Sequence, residues 1–183
     1  MSRAEPAIAR LRAALLLLAV LALPARAADP VKLAFVDTGN TGRSVTAEAL
    51  ANVEIAHAHL PIAVISRAVD QDPYETAPEA NVVSLLSARG IDVSAHRAVQ
   101  LSASDVRHSD VSLTLTAAHK EKVIAMFPDA KGKTFTLAEY AGGGSDVADA
   151  VGKPIAAYQV MVKQVETYLA PTLARAARAA DLP

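Results

Sequence analysis

Short apolar runs alternate with helix-like segments through most of this chain, and this alternation constrains the fold more than any other feature. Runs predicted as strands cover residues 31–36, 62–66, 111–116 and 134–137. Segments predicted as helices cover residues 43–57, 77–89, 119–127 and 154–177. Strands that alternate with helices favour a parallel sheet covered on both faces. The sequence therefore predicts a single α/β domain, a three-layer open sheet of four parallel strands with helices on both faces.

The first 27 residues have the pattern of a secretory signal peptide. Arginines precede an apolar run at residues 13–23, and Ala25-Arg26-Ala27 supplies a small-residue cleavage pattern. A membrane anchor is the alternative, but the run is about half of the ~20 residues that span a bilayer. We expect cleavage after Ala27, a mature domain of residues 28–183 without membrane attachment, and a periplasmic or secreted location.

The chain contains no cysteine, and this absence narrows its chemistry. Disulfides, thiolate zinc sites and cysteine nucleophiles are all excluded. A composition of 52% hydrophobic and 20% charged residues is typical of a folded globular domain. The formal net charge of -1 favours neither nucleic acid nor an anionic membrane as a partner. The function must therefore be inferred from a local site.

The loop that follows the first predicted strand is the candidate site, because ligands of open parallel sheets bind at the carboxyl ends of strands. It reads Asp37-Thr38-Gly39-Asn40-Thr41-Gly42-Arg43-Ser44. Its glycines let backbone N–H groups turn inward, and the helix that follows presents its positive dipole end. Arg43 adds a fork suited to a tetrahedral oxyanion. From these residues alone, an anion site and a turn used only for its geometry are equal alternatives.

Residues 32–50, which contain this loop, resemble the opening strand, phosphate loop and first helix of the low-molecular-weight protein tyrosine phosphatases. The family pattern in the loop is Cys, five residues, Arg, Ser, and the last two correspond to Arg43 and Ser44. The resemblance continues through nearly the whole mature chain, at residues 64–66, 90–96, 100–101, 109–110, 127–128 and 137–140. It implies the phosphatase fold, with the phosphate loop after strand 1.

The resemblance also implies roles for individual residues. Arg43 would clamp phosphate, while Asn40 and Ser44 would hold the loop in shape. His96 would support the loop from behind, and Asp149 would be the general acid. No cofactor and no metal are implied.

Four positions depart from the family pattern, and the first is the most consequential. Asp37 stands in place of the nucleophilic cysteine, Gly42 in place of a second cysteine, Ala150 in place of a proline, and Val151 in place of an aromatic residue that walls the cleft. Arsenate reduction, a second activity of this scaffold, relies on cysteine relays and is therefore excluded.

Three hypotheses follow from Asp37. In the leading hypothesis, the protein is noncatalytic and binds an oxyanion, a phosphorylated ligand or a partner protein through residues 37–44. The Asp37 carboxylate would then itself accept the loop N–H groups, so that phosphate binds poorly until Asp37 is replaced. In the second, Asp37 is the nucleophile of a phosphomonoesterase and Asp149 protonates the leaving group. In the third, the protein has a structural or interaction role and the loop is empty.

The remaining histidines and tyrosines give weaker signals. His57 and His59 are two residues apart and do not share a helix face, which disfavours a metal pair. His119 falls in the first turn of a predicted helix, with no partner visible in the sequence. Packing against the core is expected for Tyr74, Tyr140 and Tyr158.

Overall fold

The computed structural model describes residues 29–180, so the predicted signal peptide lies outside the described residues. The strands are β1 (Val31–Asp37), β2 (Ile62–Ala68), β3 (Val111–Thr114) and β4 (Thr134–Thr136). The α-helices are α1 (Arg43–Ala58), α2 (Ala80–Ser87), α3 (Ala103–His108), α4 (Ala117–Met126), α5 (Leu137–Ala141) and α6 (Ile155–Ala180). A 3₁₀ helix covers Pro128–Lys133. Within residues 29–180, no helix has the length and apolar character that crossing a membrane requires.

The strands form one sheet in the order β2-β1-β3-β4, and every neighbouring pair is parallel. The predicted four-stranded parallel sheet is therefore confirmed. β3 and β4 end earlier than predicted, at Thr114 and Thr136. The reason is that Thr116 and Thr136 cap the helices that follow, accepting hydrogen bonds from the backbone N–H groups of His119 and Glu139.

The central strand β1 is buried on both faces and separates two cores. Leu33 and Phe35 face a large core formed with α1, α2, α5 and α6. Ala34 and Val36 face a smaller core formed with α3, α4 and the 3₁₀ helix. Because both faces are covered, β1 reads as a continuous apolar run instead of an alternating one. The predicted three-layer arrangement, with helices on both sides of the sheet, is confirmed.

The helices differ from prediction mainly at their ends and in two short elements. Helix α2 begins at Ala80 rather than at residue 77, because Pro78 disfavours helical backbone at the residue before it. Helices α3 and α5 were missed, although the sequence carries a capping box at the start of each. These capping boxes pair Ser102 with Asp105 and Thr136 with Glu139.

Candidate functional site

The loop 37–42 lies at the carboxyl end of β1 and leads directly into α1. A pocket of about 290 Å³ opens beside it and is lined by loop residues together with Asp149, which precedes α6. The structure thus brings Asp37, Arg43 and Asp149 to one place, although they are separated by up to 112 positions in the chain. Their catalytic roles stay a prediction.

Asp37 is 3% exposed, and its side chain is engaged by the loop that follows it. Its Oδ1 accepts a hydrogen bond from the backbone N–H of Asn40 at 2.6 Å, and its Oδ2 accepts one from the N–H of Ser44 at 2.9 Å. Hydrogen bonds to an ionised acceptor are stronger than neutral ones. Two of the N–H groups that could receive an oxyanion are therefore already bonded to Asp37.

Asn40 joins the loop to the body of the domain. Its backbone has φ 57°, a left-handed conformation that asparagine tolerates better than most residues. Its Nδ2 donates to the hydroxyls of Ser44 at 2.9 Å and Ser66 at 2.8 Å, and its Oδ1 accepts from the N–H of Val99 at 3.0 Å. The amide of Asn40 therefore fixes the loop against β2 and the segment after α2.

Further support comes from behind the loop. His96 Nε2 lies 3.0 Å from the carbonyl oxygen of Asn40, and its role as a support of the loop stays a prediction. The hydroxyl of Ser66 donates to the carboxylate of Glu48 on α1, which extends the same network. Glu48 was not identified from the sequence, because no spacing rule links it to β2.

Arg43 has a carboxylate partner within the pocket. Its Nη2 lies 3.2 Å from Oδ2 of Asp149. The guanidinium side chain is 9% exposed, whereas the side chain of Asp149 is 54% exposed. Pairs as exposed as this one contribute about 0–1 kcal/mol to stability. Arg43 is thus held in place, and part of its charge is already neutralised.

His119 is 8% exposed and has a partner that sequence reasoning did not find. Its Nε2 lies 2.8 Å from the hydroxyl of Thr38, so the first turn of α4 contacts the loop. Burial lowers the pKa of His119, and the charge of Arg43 acts in the same direction, while nearby carboxylates oppose it. Folding therefore shifts the protonation equilibrium of His119 towards the neutral imidazole.

The pocket carries an excess of negative charge that the sequence analysis missed. Beyond Asp37 and Asp149, its lining includes Asp70, Asp72, Glu75 and Glu79, so six carboxylates and one guanidinium line the pocket. One of these carboxylates, Asp70, is paired with Lys122 at 2.9 Å. A cleft lined by one sign of charge concentrates ligands of the opposite sign. In the part of the chain that the structure describes, no group of three or more acidic or histidine side chains is arranged to hold a metal ion.

The rim of the pocket also has an exposed apolar component. Val151 lines the pocket and is 61% exposed, and Tyr74, between two acidic lining residues, is 94% exposed. The expectation of core packing was therefore wrong for Tyr74. It is confirmed for Tyr140 and Tyr158, which are 5% and 4% exposed.

Comparison with known proteins agrees with this architecture. Residues 32–180 match the family model described as low molecular weight phosphotyrosine protein phosphatase. A protein-arginine-phosphatase from Geobacillus stearothermophilus is 34% identical over 141 residues, which cover 76% of this chain and 92% of that protein. A probable low molecular weight protein-tyrosine-phosphatase, EpsP of Ralstonia nicotianae, is 30% identical over 129 residues, which cover 70% of this chain and 83% of that protein.

A solved structure extends the likeness to three dimensions. It is a cysteine-to-serine mutant of the YwlE arginine phosphatase with a phosphorylated active-site serine, and it superposes with a TM-score of 0.75 at 30% identity. The match covers 79% of this chain and 94% of that one. The resemblance inferred from the loop and the segments after it is confirmed. This chain belongs to the low molecular weight phosphotyrosine protein phosphatase family.

Proposed function

We propose that this chain is an exported, noncatalytic phosphatase homologue that engages a protein partner through the pocket beside residues 37–44. One observation carries the proposal: both carboxylate oxygens of Asp37 accept hydrogen bonds from backbone N–H groups of the loop. The chain supplies its own acceptor at the position where the family pattern has its nucleophile.

The geometry of Asp37 argues against a nucleophilic role. Each carboxylate oxygen of Asp37 accepts a backbone hydrogen bond, from Asn40 or Ser44, and hydrogen bonds that stabilise an anion lower its reactivity as a nucleophile. The positive side chain beside it, Arg43, is already paired with Asp149. A carboxylate held in this way is a poor nucleophile.

The charges around the pocket support a partner with positive groups over an oxyanion. Six carboxylates and Arg43 line the pocket, and one of the carboxylates, Asp70, is paired with Lys122. The lining keeps a net negative charge, which disfavours phosphate and attracts a cationic side chain. Tyr74 and Val151 add exposed apolar surface beside these charges, and tyrosine is a frequent interface anchor. The names of the family relatives describe them as acting on proteins, at arginine or tyrosine, which supports a protein segment as the ligand.

A phosphatase assay tests the noncatalytic part of the proposal. An aryl phosphate is incubated, with and without Mg²⁺, with the wild-type protein, Asp37→Ala and Asp37→Cys. We expect no turnover by the wild type or by Asp37→Ala and only weak turnover by Asp37→Cys, because the loop around the nucleophile position is intact but other carboxylates still line the pocket. Metal-dependent turnover by the wild type that is lost in Asp37→Ala would overturn the proposal.

Peptide binding tests the partner part. The probe is a labelled peptide of alternating arginine and glycine, titrated with wild-type protein at physiological salt and followed by fluorescence anisotropy. A matched peptide with glutamate in place of arginine is the control. We expect the arginine peptide to bind more tightly, and Asp72→Asn/Glu75→Gln to weaken it. Equal binding of both peptides contradicts a cation-selective pocket.

Export is tested separately. Cell fractionation followed by N-terminal sequencing is expected to give a mature protein that begins at Ala28 and lies outside the cytoplasm. Recovery of the uncleaved chain from the cytoplasm contradicts export and leaves the assays of the pocket unaffected.

A phosphomonoesterase with Asp37 as nucleophile is the second candidate, and one observation favours it. In the YwlE mutant structure, the active-site serine carries a phosphoryl group on an oxygen atom. A side-chain oxygen in the active site of a relative is therefore phosphorylated. This candidate predicts a hydroxylamine-sensitive mass increase of one phosphoryl group on wild-type protein incubated with an aryl phosphate, and none on Asp37→Asn.

A further inference from the structure

Glu79, immediately before α2, covers the loop on the pocket side. Its backbone N–H donates to the carbonyl oxygen of Thr41 at 3.0 Å, and the Thr41 hydroxyl lies 3.4 Å from Oε1. Its Oε2 accepts a hydrogen bond from the hydroxyl of Tyr158 on α6. Glu79 is therefore held by the loop on one side and by the C-terminal helix on the other.

The carboxylate of Glu79 occupies the space above Gly42. A Cβ atom added at Gly42 would lie 3.3 Å from Cδ of Glu79 and would collide with its Oε1. Gly42 has a negative φ, and the atoms that an added Cβ would meet belong to the end of the Glu79 side chain, so a larger residue at this position requires Glu79 to move. Gly42 and Glu79 are a matched pair in which the missing side chain of one makes room for the carboxylate of the other.

Glu79 adds a carboxylate to the pocket beside the loop. Its carboxylate lines the same pocket as Asp37 and Arg43, beside the N-terminus of α1. Burial raises the pKa of Tyr158 to about 12, with the hydrogen bond to Glu79 and its charge acting in the same direction. The tyrosine is thus kept protonated as a donor to Glu79, and an oxyanion in the loop would lie next to a carboxylate.

We propose that Glu79 is a second determinant of ligand charge in this pocket and excludes oxyanions from the loop independently of Asp37. This inference rests on the proposed noncatalytic function and deepens it. If Asp37 alone blocked the loop, its replacement by a small neutral residue would restore a full phosphate site. With Glu79 in place, that replacement vacates the floor of the loop but leaves a like charge at its opening.

Calorimetric titration of inorganic phosphate at pH 7.5 and constant ionic strength tests the inference. The proteins are Asp37→Ser, Asp37→Ser/Glu79→Gln and Asp37→Ser/Glu75→Gln. Glu75 is the matched control, because it lines the same pocket but is exposed and carries the same formal charge. We expect Glu79→Gln to tighten phosphate binding at least tenfold and Glu75→Gln to change it less than threefold.

Two outcomes overturn the inference: equal effects of the two glutamate replacements, or no phosphate binding by the Asp37→Ser/Glu79→Gln protein. The wild type is titrated in parallel. Tight phosphate binding by the wild type would refute the proposed function. The Glu79 inference is decided separately, by the ratio of the phosphate dissociation constants of the Asp37→Ser proteins with and without the glutamate replacement.

A second measurement detects the matched pair without a ligand. Gly42→Ala is expected to lower the melting temperature of the wild type but to have a smaller effect in a Glu79→Ala background, because the collision is then removed. Glu79→Gln is also expected to lower the pKa of Tyr158, measured by tyrosinate absorbance against Tyr158→Phe. An equal change in melting temperature in both backgrounds would show that the Glu79 carboxylate does not restrict the space above Gly42.

Discussion

The floor of the loop and the rim of the pocket differ in almost every physical respect. The floor consists of Asp37, Asn40, Ser44 and Ser66, all at most 3% exposed and joined by hydrogen bonds. The charged part of the rim consists of four exposed carboxylates, those of Asp70, Asp72, Glu75 and Asp149. The floor has the shape of an anion cradle, whereas the rim carries charge that repels anions. The shape of a binding site and its charge are therefore set by separate parts of one chain.

The largest effect that tests this comparison is expected at Asn40 in the floor. Asn40→Ala removes two buried hydrogen bonds and one partly buried one, and it leaves alanine at φ 57°. The expected loss of unfolding free energy is about 3–4 kcal/mol, because buried partners are left unsatisfied. Urea unfolding measures it. The exposed Asn52 on α1 is the control, and a comparable loss in Asn52→Ala would show that the floor is not special.

A smaller loss is expected when the floor keeps its shape but loses its charge. Asp37→Asn turns one acceptor oxygen into an NH₂ group that faces the N–H of Asn40 or Ser44. The expected cost is about 2 kcal/mol, from one lost hydrogen bond and one donor facing a donor. Thermal unfolding measures it against Asp92→Asn on the surface. A cost no larger than that of the surface variant contradicts the role of Asp37 as the acceptor of the loop.

His119 connects the floor to α4 and predicts a pH dependence. Its pKa is lowered in the folded protein, so below the unfolded value of about 6.5 the unfolded chain binds more protons than the folded one. The contribution of His119 to stability is therefore fully present above this value. It falls as the pH decreases towards the folded pKa, by at most about 1.4 kcal/mol per pH unit.

Unfolding of wild type, His119→Leu and His57→Gln between pH 7.5 and 5 measures this contribution. The wild type and His57→Gln are expected to lose stability in parallel, because His57 is exposed. His119→Leu is expected to give a flatter profile. Three parallel profiles would show that the imidazole of His119 is not the group responsible.

The smallest effect is expected at the rim. Asp149→Asn removes the ion pair between Arg43 and the half-exposed carboxylate of Asp149. The expected cost in unfolding free energy is below about 1 kcal/mol. Urea unfolding at low and high salt measures it, and the cost is expected to shrink as salt screens the pair. A cost as large as that of Asp37→Asn would mean that floor and rim are not energetically distinct.

The sequence predicted the sheet, the loop and the family, because these depend on local patterns. Alternating runs gave the four strands, and the loop motif gave the position of Asp37 and Arg43. The contact of Thr38 with His119 could not be predicted, since it joins residues 81 positions apart through the order of the strands. The same holds for Glu79 above Gly42 and for the carboxylates of the rim, which approach the loop only after folding.

The position of Asp37 also has a thermodynamic consequence for the cell. A carboxylate attached to the loop by its own backbone competes with dissolved anions at an effective concentration fixed by the chain and not by the surroundings. Under the proposed function, changes in the concentration of phosphate or sulfate therefore alter the loop less than they would alter an empty anion site.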